Sequence, residues 1–256
     1  MNEERLRIEK ISQKYQAENG EVEALEEISF TVDDGEFISI VGPSGCGKST
    51  LLSIVAGLDR PTGGAVYLDG EKVTGISPRI GYMLQKDQLL PWRTIWKNVT
   101  LGLEIRHELT PENLEYTRHL LDSYGLLEFQ EKYPAQLSGG MRQRAALIRT
   151  LAVRPQILLL DEAFSALDYQ TRLAVTDDVY RILKNEHMTT LMVTHDIPES
   201  ISMADRLVVL TKRPGRLKSI HRLEFAGEAQ EPLSRRDSPE FSHYFNLVWK
   251  ELDVHV

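Results

Sequence analysis

The chain has 256 residues, 41% hydrophobic and 27% charged, with a net charge of −8; that is enough to bury a full core, as one large domain or as a core domain carrying an insertion. The acidic surplus argues against a dedicated nucleic-acid binder, which would show a basic surplus, and no apolar run approaches the roughly 18 residues of a membrane-spanning helix. The charged start, Met1-Asn-Glu-Glu-Arg5, lacks the apolar core of a signal peptide, and the single cysteine, Cys46, rules out an internal disulfide, so a cytosolic chain is expected whose membrane role would come through a partner.

In chain order, Leu6–Gln16, Ala24–Val32 and Glu36–Val41 read as short strands separated by the turn signals Asn19-Gly20 and Asp33-Asp-Gly35. The third strand feeds Gly42-Pro43-Ser44-Gly45-Cys46-Gly47-Lys48-Ser49-Thr50, which fits G-x-x-x-x-G-K-[ST], the phosphate-binding loop of nucleotide triphosphatases. Lys48–Ala56 then reads as a helix that Gly57 ends. A strand entering such a loop aims backbone N–H groups and a helix N-terminus at one point, which suits a polyphosphate. Gly42, Gly45 and Gly47 let the backbone turn tightly and approach the phosphates. Lys48 is expected to reach the β- and γ-phosphates and the Ser49 hydroxyl to ligate Mg²⁺. A thiol at a helix N-terminus has a reason for a lowered pKa, but Cys46 is read as a small side chain that fits, because nothing else points to redox control.

Pro61-Thr-Gly-Gly64 reads as a turn, Ala65–Leu68 and Glu71–Val73 as a hairpin around Asp69-Gly70, and Arg79–Leu84 as a strand ending at Gln85. From about residue 87 to 153 the pattern is helical. Ile95, Val99, Leu101 and Leu103 mark one amphipathic segment; Pro111–Tyr124 is another, with Thr110 as N-cap and Gly125 as stop; a third begins near Ser138-Gly139 and runs to Val153. Strands return at Ile157–Asp161, Thr189–Thr194 and Arg206–Thr211, with helical stretches between, the alternation of a mostly parallel sheet covered by helices on both faces. The remainder, with Pro214-Gly215, Pro232 and Pro239, reads as a small appendage closed by a helix near Phe241–Leu252.

Two further stretches carry chemistry. Ile157-Leu-Leu-Leu-Asp161-Glu162 is a buried strand ending in two acids. The first places a carboxylate beside the phosphate loop, where it can hold Mg²⁺; the second points elsewhere and can orient or deprotonate an attacking water. Leu137-Ser138-Gly139-Gly140-Met141-Arg142-Gln143-Arg144 offers bare N–H groups and a hydroxyl at a helix start, a second anion site that one nucleotide in one loop does not obviously need.

Residues Leu137–Arg144 resemble the signature motif of ATP-binding cassette (ABC) ATPases, in which this site contacts the γ-phosphate held by the other subunit of a head-to-tail dimer. The resemblance covers roughly residues 5–225 and implies further roles. Tyr15 stands where an aromatic ring stacks on adenine; Gln85 matches the glutamine that touches Mg²⁺ or the attacking water; Ser165-Ala166-Leu167-Asp168 matches the loop that communicates across the dimer; His195 matches the histidine that contacts the γ-phosphate. The resemblance thus implies catalytic roles for Glu162, His195 and Gln85. ATP would be held by Tyr15, the loop from Gly42 to Thr50, Ser138, Gly139, Gly140 and Asp168, and Mg²⁺ by Ser49, Gln85 and Asp161.

The expected fold class is α/β: a P-loop NTPase core with an N-terminal antiparallel β subdomain and an inserted α-helical subdomain at about 87–153, the ATPase domain spanning 1–235 and a helical appendage 236–256. Expected partners are a second copy of the chain, an integral membrane permease and, indirectly, an extracytoplasmic solute-binding protein, with no nucleic acid and a place on the cytoplasmic face of the membrane. Soluble relatives of DNA maintenance or translation are the alternative, but the stretch before Asp161 leaves no room for a long coiled coil and only one cassette is present. Gln85-Lys-Asp-Gln-Leu-Leu-Pro-Trp92, Leu210-Thr-Lys-Arg-Pro-Gly-Arg-Leu217 and Ser238-Pro-Glu-Phe241 resemble ATPases of the nitrate/sulfonate/taurine importer group, whose cargoes are small oxyanions, alkanesulfonates or thiamine-type pyrimidine precursors. Too little chain follows His195 for the regulatory barrel of many sugar importers. Leu89–Trp92 is expected to form an exposed groove for a permease helix, and Trp96 to pack inward.

Overall fold

The computed structural model describes residues 3–17, 20–226 and 231–252. Asn19 of the Asn19-Gly20 turn and the last four residues of the expected appendage lie outside the described residues. The elements run β1 (Glu4–Ala17), β2 (Gly20–Asp33), β3 (Phe37–Val41), α1 (Lys48–Val55), β4 (Gly63–Leu68), β5 (Glu71–Lys72), β6 (Ile80–Met83), α2 (Ile95–Val99), α3 (Leu101–Ile105), α4 (Pro111–Ser123), α5 (Gly139–Leu151), β7 (Ile157–Asp161), α6 (Tyr169–Asn185), β8 (Thr189–Val193), α7 (Ile197–Met203), β9 (Arg206–Leu210), β10 (Leu217–Arg222), α8 (Pro232–Arg236) and α9 (Pro239–Leu252).

The strands form two sheets. One is antiparallel, in the order β2-β1-β4-β5; the other runs β10-β9-β3-β8-β7-β6. In the second, β9, β3, β8, β7 and β6 are mutually parallel and only β10 runs against its neighbour. Parallel strands need crossovers that cover their faces, and β3, β7 and β8 are accordingly buried along their length except at Asp161, which ends β7. Their side chains alternate between two cores. Ile38, Ile40, Leu159 and Val193 pack toward the antiparallel sheet and α1, while Phe37, Val41, Leu158, Leu160 and Met192 pack with the helical segment and α6.

One consequence of the parallel order positions the site. The register pairs Ile40 with Val193, Asp161 with Val193 and Met83 with Leu160. The carboxyl ends of β3, β8, β7 and β6 therefore lie along one edge, where open α/β sheets bind ligands.

Several expected boundaries shift. Gly63 and Gly64 open β4 instead of belonging to a turn. The segment from Ile95 to Leu103 is two short helices, because the Thr100 hydroxyl donates to the Trp96 carbonyl and Thr100 ends α2. Thr110 caps α4 as expected, its hydroxyl accepting from the Asn113 amide. β10 and α8 were not foreseen: β10 is an edge strand exposed on alternate residues, with no apolar run to announce it. α9 does not stand apart, since Val248 is fully buried in the core shared with α7 and β9.

Candidate functional site

Between β3 and α1 the chain turns through Gly42–Gly47, and the last three residues of the motif, Lys48, Ser49 and Thr50, open α1. Gly47, at φ +102°, is the N-cap of α1, and a Cβ there would sit 2.6 Å from Leu25 Cδ2, so both conformation and space require glycine. Lys48 is buried, and its ammonium donates to the Gly42 carbonyl at 2.7 Å and to the Pro43 carbonyl at 3.2 Å. Cys46, read from the sequence as a small side chain that fits, is not among the residues that line the cavity over the loop. Its side chain is 1% exposed, packs in the core below the loop, and burial pushes its pKa up, opposite to the shift of a reactive thiolate.

Above the loop lies a cavity of about 420 Å³ whose walls include Tyr15, Ser44, Lys48, Ser49, Thr50 and Glu162. Tyr15, at 39% exposure, pairs across the antiparallel sheet with Val22, which together with Ala24 adds an apolar wall. A ring beside such a wall can stack on a planar base, with the loop at the other end offering N–H groups to phosphates.

The strand ends bring the remaining residues together. The Ser49 hydroxyl donates to Asp161 Oδ1 at 2.9 Å, and the Tyr82 hydroxyl donates to Asp161 Oδ2 at 3.0 Å. Burial and the neighbouring Asp161 carboxylate push the Tyr82 phenol's pKa up, so it stays a donor. Ser49 and Asp161 are hard oxygen ligands in reach of each other, a pairing that fits Mg²⁺, which binds one or two protein oxygens and keeps the rest of its shell for phosphate and water. Among the described residues no group of three or more His, Cys, Asp or Glu is arranged to hold a metal ion.

Glu162 is the next residue, and its backbone is left-handed at φ +48°, an uncommon conformation for a non-glycine residue that costs of order 1 kcal/mol or more. That turn swings its carboxylate away from the one before it. Glu162 Oε2 stands 3.2 Å from His195 Nδ1 and 3.5 Å from Gln85 Nε2. Gln85 also donates to the Ser165 hydroxyl at 3.0 Å, which donates in turn to the Glu162 carbonyl at 2.9 Å. A carboxylate flanked by an imidazole and an amide, on the wall of the cavity above the phosphate loop, can receive a proton from water and hold that water in place.

Not every expected site residue joins this group. Ser138, Gly139, Gly140 and Asp168 do not line the cavity. Ser138 caps α5, its hydroxyl accepting from the Met141 amide at 3.3 Å; Asp168 caps α6, accepting from the Thr171 amide at 3.1 Å. Gly42 and Pro43 face the site only through the carbonyls that hold Lys48. Conversely, Tyr82, Val22, Ala24 and Arg213 reach the site without having been foreseen there: Arg213 stands in a stretch read only for its resemblance to an importer group, and the other three carry no motif.

A strand–loop–helix phosphate site with two consecutive acids at the end of a nearby parallel strand defines a nucleotide triphosphatase of the P-loop class. A sequence model of the family described as "ABC transporter" matches residues 25–165. The uncharacterized ABC transporter ATP-binding protein YtlC of Bacillus subtilis is 45% identical over 97% of this chain and 95% of its own. The nitrate import ATP-binding protein NrtD of Synechocystis sp. is 39% identical over 95% of this chain and 93% of its own; the taurine import ATP-binding protein TauB of Jannaschia sp. is 39% identical over 95% and 94%. The dimeric structure of MJ0796, a bacterial ABC transporter cassette, superposes with a TM-score of 0.73 at 31% identity, covering 86% of this chain and 99% of that one. The chain belongs to the ABC transporter family, as an ATP-binding ATPase subunit that resembles the nitrate, sulfonate and taurine importer group. No helix among the described residues is long and apolar enough to cross a membrane.

Proposed function

We propose that the chain hydrolyses ATP to drive uptake of a small solute through a partner permease: nitrate, a sulfonate, taurine or a related compound, or a thiamine pyrimidine precursor. The importer names of its relatives support this reading. The subunit would sit on the cytoplasmic face of the membrane, held by the permease, with an extracytoplasmic binding protein delivering the cargo. Residues 1–235, with the helical segment at about 87–153, would be the ATPase domain, and 236–256 a C-terminal helical appendage.

The observation that carries the catalytic reading is Glu162, held by His195 and Gln85 on the wall of the cavity that Lys48 and Ser49 floor. In this scheme Tyr15 stacks on adenine, the loop amides cradle the phosphates, and Lys48 exchanges its carbonyl partners for phosphate oxygens. Ser49, Asp161 and Gln85 would hold Mg²⁺, which supplies charge neutralisation at the β- and γ-phosphates. Glu162 takes the proton of the attacking water and His195 steadies the γ-phosphate. Ser138, Gly139, Gly140 and Asp168 would act on the nucleotide of a second copy in a head-to-tail dimer; the dimeric state of the MJ0796 structures, one holding ADP and Pi, supports that arrangement.

Glu162→Gln removes the base but leaves the phosphate cage. Turnover should fall by about 100-fold or more while ATP affinity stays within about threefold. Near-normal turnover in the variant would remove Glu162 from this role. Identifying the ligand of the binding protein that delivers cargo to the permease would choose among the cargoes.

A further inference from the structure

We propose that Arg213, in the segment joining β9 to β10, is a nucleotide-binding residue whose guanidinium engages the phosphate oxygens of the bound nucleotide. The proposal rests on the nucleotide reading of the cavity and adds a residue to it that no motif of the loop supplies.

Arg213 is exposed, lines the same cavity as Tyr15 and Lys48, and donates through Nε to the carbonyl of Gly45 at 3.1 Å. Among the described residues this is its only hydrogen bond, and no acidic side chain pairs with it. Using Nε on the loop leaves both terminal nitrogens as a planar fork of donors, the geometry that matches phosphate oxygens. The anchor also decides which part of a nucleotide is within reach. Gly45 lies in the middle of the phosphate loop, whose amides address phosphates, so a guanidinium fixed there is set against the phosphate chain.

The segment carrying Arg213 is held on both sides. The Gly215 amide donates to the Ala24 carbonyl, and the Glu26 amide donates to the Gly215 carbonyl, each at 2.9 Å, joining the segment to β2, which supplies the apolar wall. Arg216 pairs with Glu26 at 2.5 Å. On the other side Gly215 presses on the phosphate loop itself: a Cβ there would lie 2.2 Å from the Cys46 carbonyl oxygen, so only glycine permits the approach. Within the turn, Thr211 donates its hydroxyl to the Pro214 carbonyl at 3.1 Å and accepts from the Arg216 amide at 3.0 Å. A positive side chain mounted on so braced a turn is positioned before any ligand arrives, which lowers the ordering cost of binding.

The test uses the full chain and compares wild type with Arg213→Ala, Arg213→Gln and Arg213→Lys. Affinities for ATP, ADP and adenosine are measured with Mg²⁺ at two salt concentrations, together with KM, kcat and thermal melting. Loss of a charged phosphate contact should weaken ATP and ADP roughly tenfold or more, leave adenosine unchanged, raise KM with kcat held, and reduce the salt dependence of ATP binding; Arg213→Lys should recover part of the loss. Wild-type ATP affinity in Arg213→Ala overturns the proposal. So does an equal loss for adenosine and ATP, or a lowered melting temperature with a kcat defect that Lys does not rescue, since Arg213 would then only stiffen the loop. A wild-type chain that fails to bind ATP overturns the nucleotide reading itself, a result distinct from a wild-type chain that binds and a variant that binds equally well.

Discussion

Four residues after His195, Glu199 is 3% exposed, with one carboxylate oxygen lacking any partner among the described residues. Burial pushes its pKa up to about 7; the Thr194 hydroxyl opposes this, Asp196 adds to it, and Arg172 and Arg236 oppose it from α6 and from the end of α8. Because the folded chain keeps a proton that the unfolded chain releases near pH 4.5, stability falls as pH rises from there to about 7. Above that window the cost is of order 3 kcal/mol. Glu199→Gln, which has no proton to lose, should match wild type at pH 5 and melt several degrees higher at pH 8; parallel melting curves across that range would show that Glu199 does not titrate with folding. This cost was not legible in the sequence, where Glu199 is one acid in the turn Asp196-Ile-Pro-Glu199. Asp161 and Glu162 were legible because they end and directly follow a strand whose apolar run is itself visible, whereas His195, two residues past β8, was placed only by the family resemblance. Tyr82 and Arg213 were not, since only the stacking of distant segments brings them to Asp161 and Gly45.

At the scale of elements, the segment from Gln85 to Asn98 shows how an irregular stretch is fixed. Asn98 is fully buried; its amide donates to the carbonyls of Leu90, Arg93 and Thr94, and its side-chain oxygen accepts from the Leu90 amide. Arg142 donates to the Asp87 carboxylate, and Arg149 to the carbonyls of Asp87 and Gln88, tying the stretch beyond Gln85 to α5, the helix that Ser138 caps. A shift of either element therefore loads the other. The sequence suggested that Leu89–Trp92 forms an exposed groove, and only part of that survives. Leu89 is 7% exposed and belongs to the core, whereas Trp92 is 71% exposed; Trp96 packs inward as expected. A period of apolar residues cannot separate these two cases in a segment without helix or strand, because no regular face exists to count along. Leu89→Ala should thus cost about 2–5 kcal/mol of stability. Trp92→Ala should change stability by less than about 0.5 kcal/mol yet weaken capture of the subunit by its permease, since large exposed aromatics anchor such contacts. Melting and permease pull-down, measured side by side, separate the two. A Trp92→Ala chain that melts several degrees lower and still assembles normally would make Trp92 a packing residue.

For the whole molecule, the place of the Ser138–Gly140 turn relative to the phosphate loop is decisive. The cavity over Lys48 is walled by the antiparallel sheet, the phosphate loop and Glu162, and the Ser138–Gly140 turn is not among its walls. Nor is that turn free to move alone: a Cβ at Gly140 would lie 2.9 Å from Val175 Cγ2, so the start of α5 is seated on α6. If the turn serves a nucleotide, that nucleotide belongs to another copy, and two copies related head to tail would each complete the other's site. The motif could be read from the sequence, but its separation from the phosphate loop could not, because it depends on where the helical segment packs. Complementation tests this in the Glu162→Gln background, where ATP should hold dimers together for detection by size. Lys48→Ala chains should lose both sites of a dimer, and so should Ser138→Arg chains. Mixing them should restore dimers, each with one intact site and one site carrying both lesions, with ATP bound at no more than one per dimer. If Ser138→Arg chains dimerise with ATP as well as the parent, or if the mixture recovers nothing while each variant remains folded, Ser138 is a helix cap alone and the site is complete within one chain.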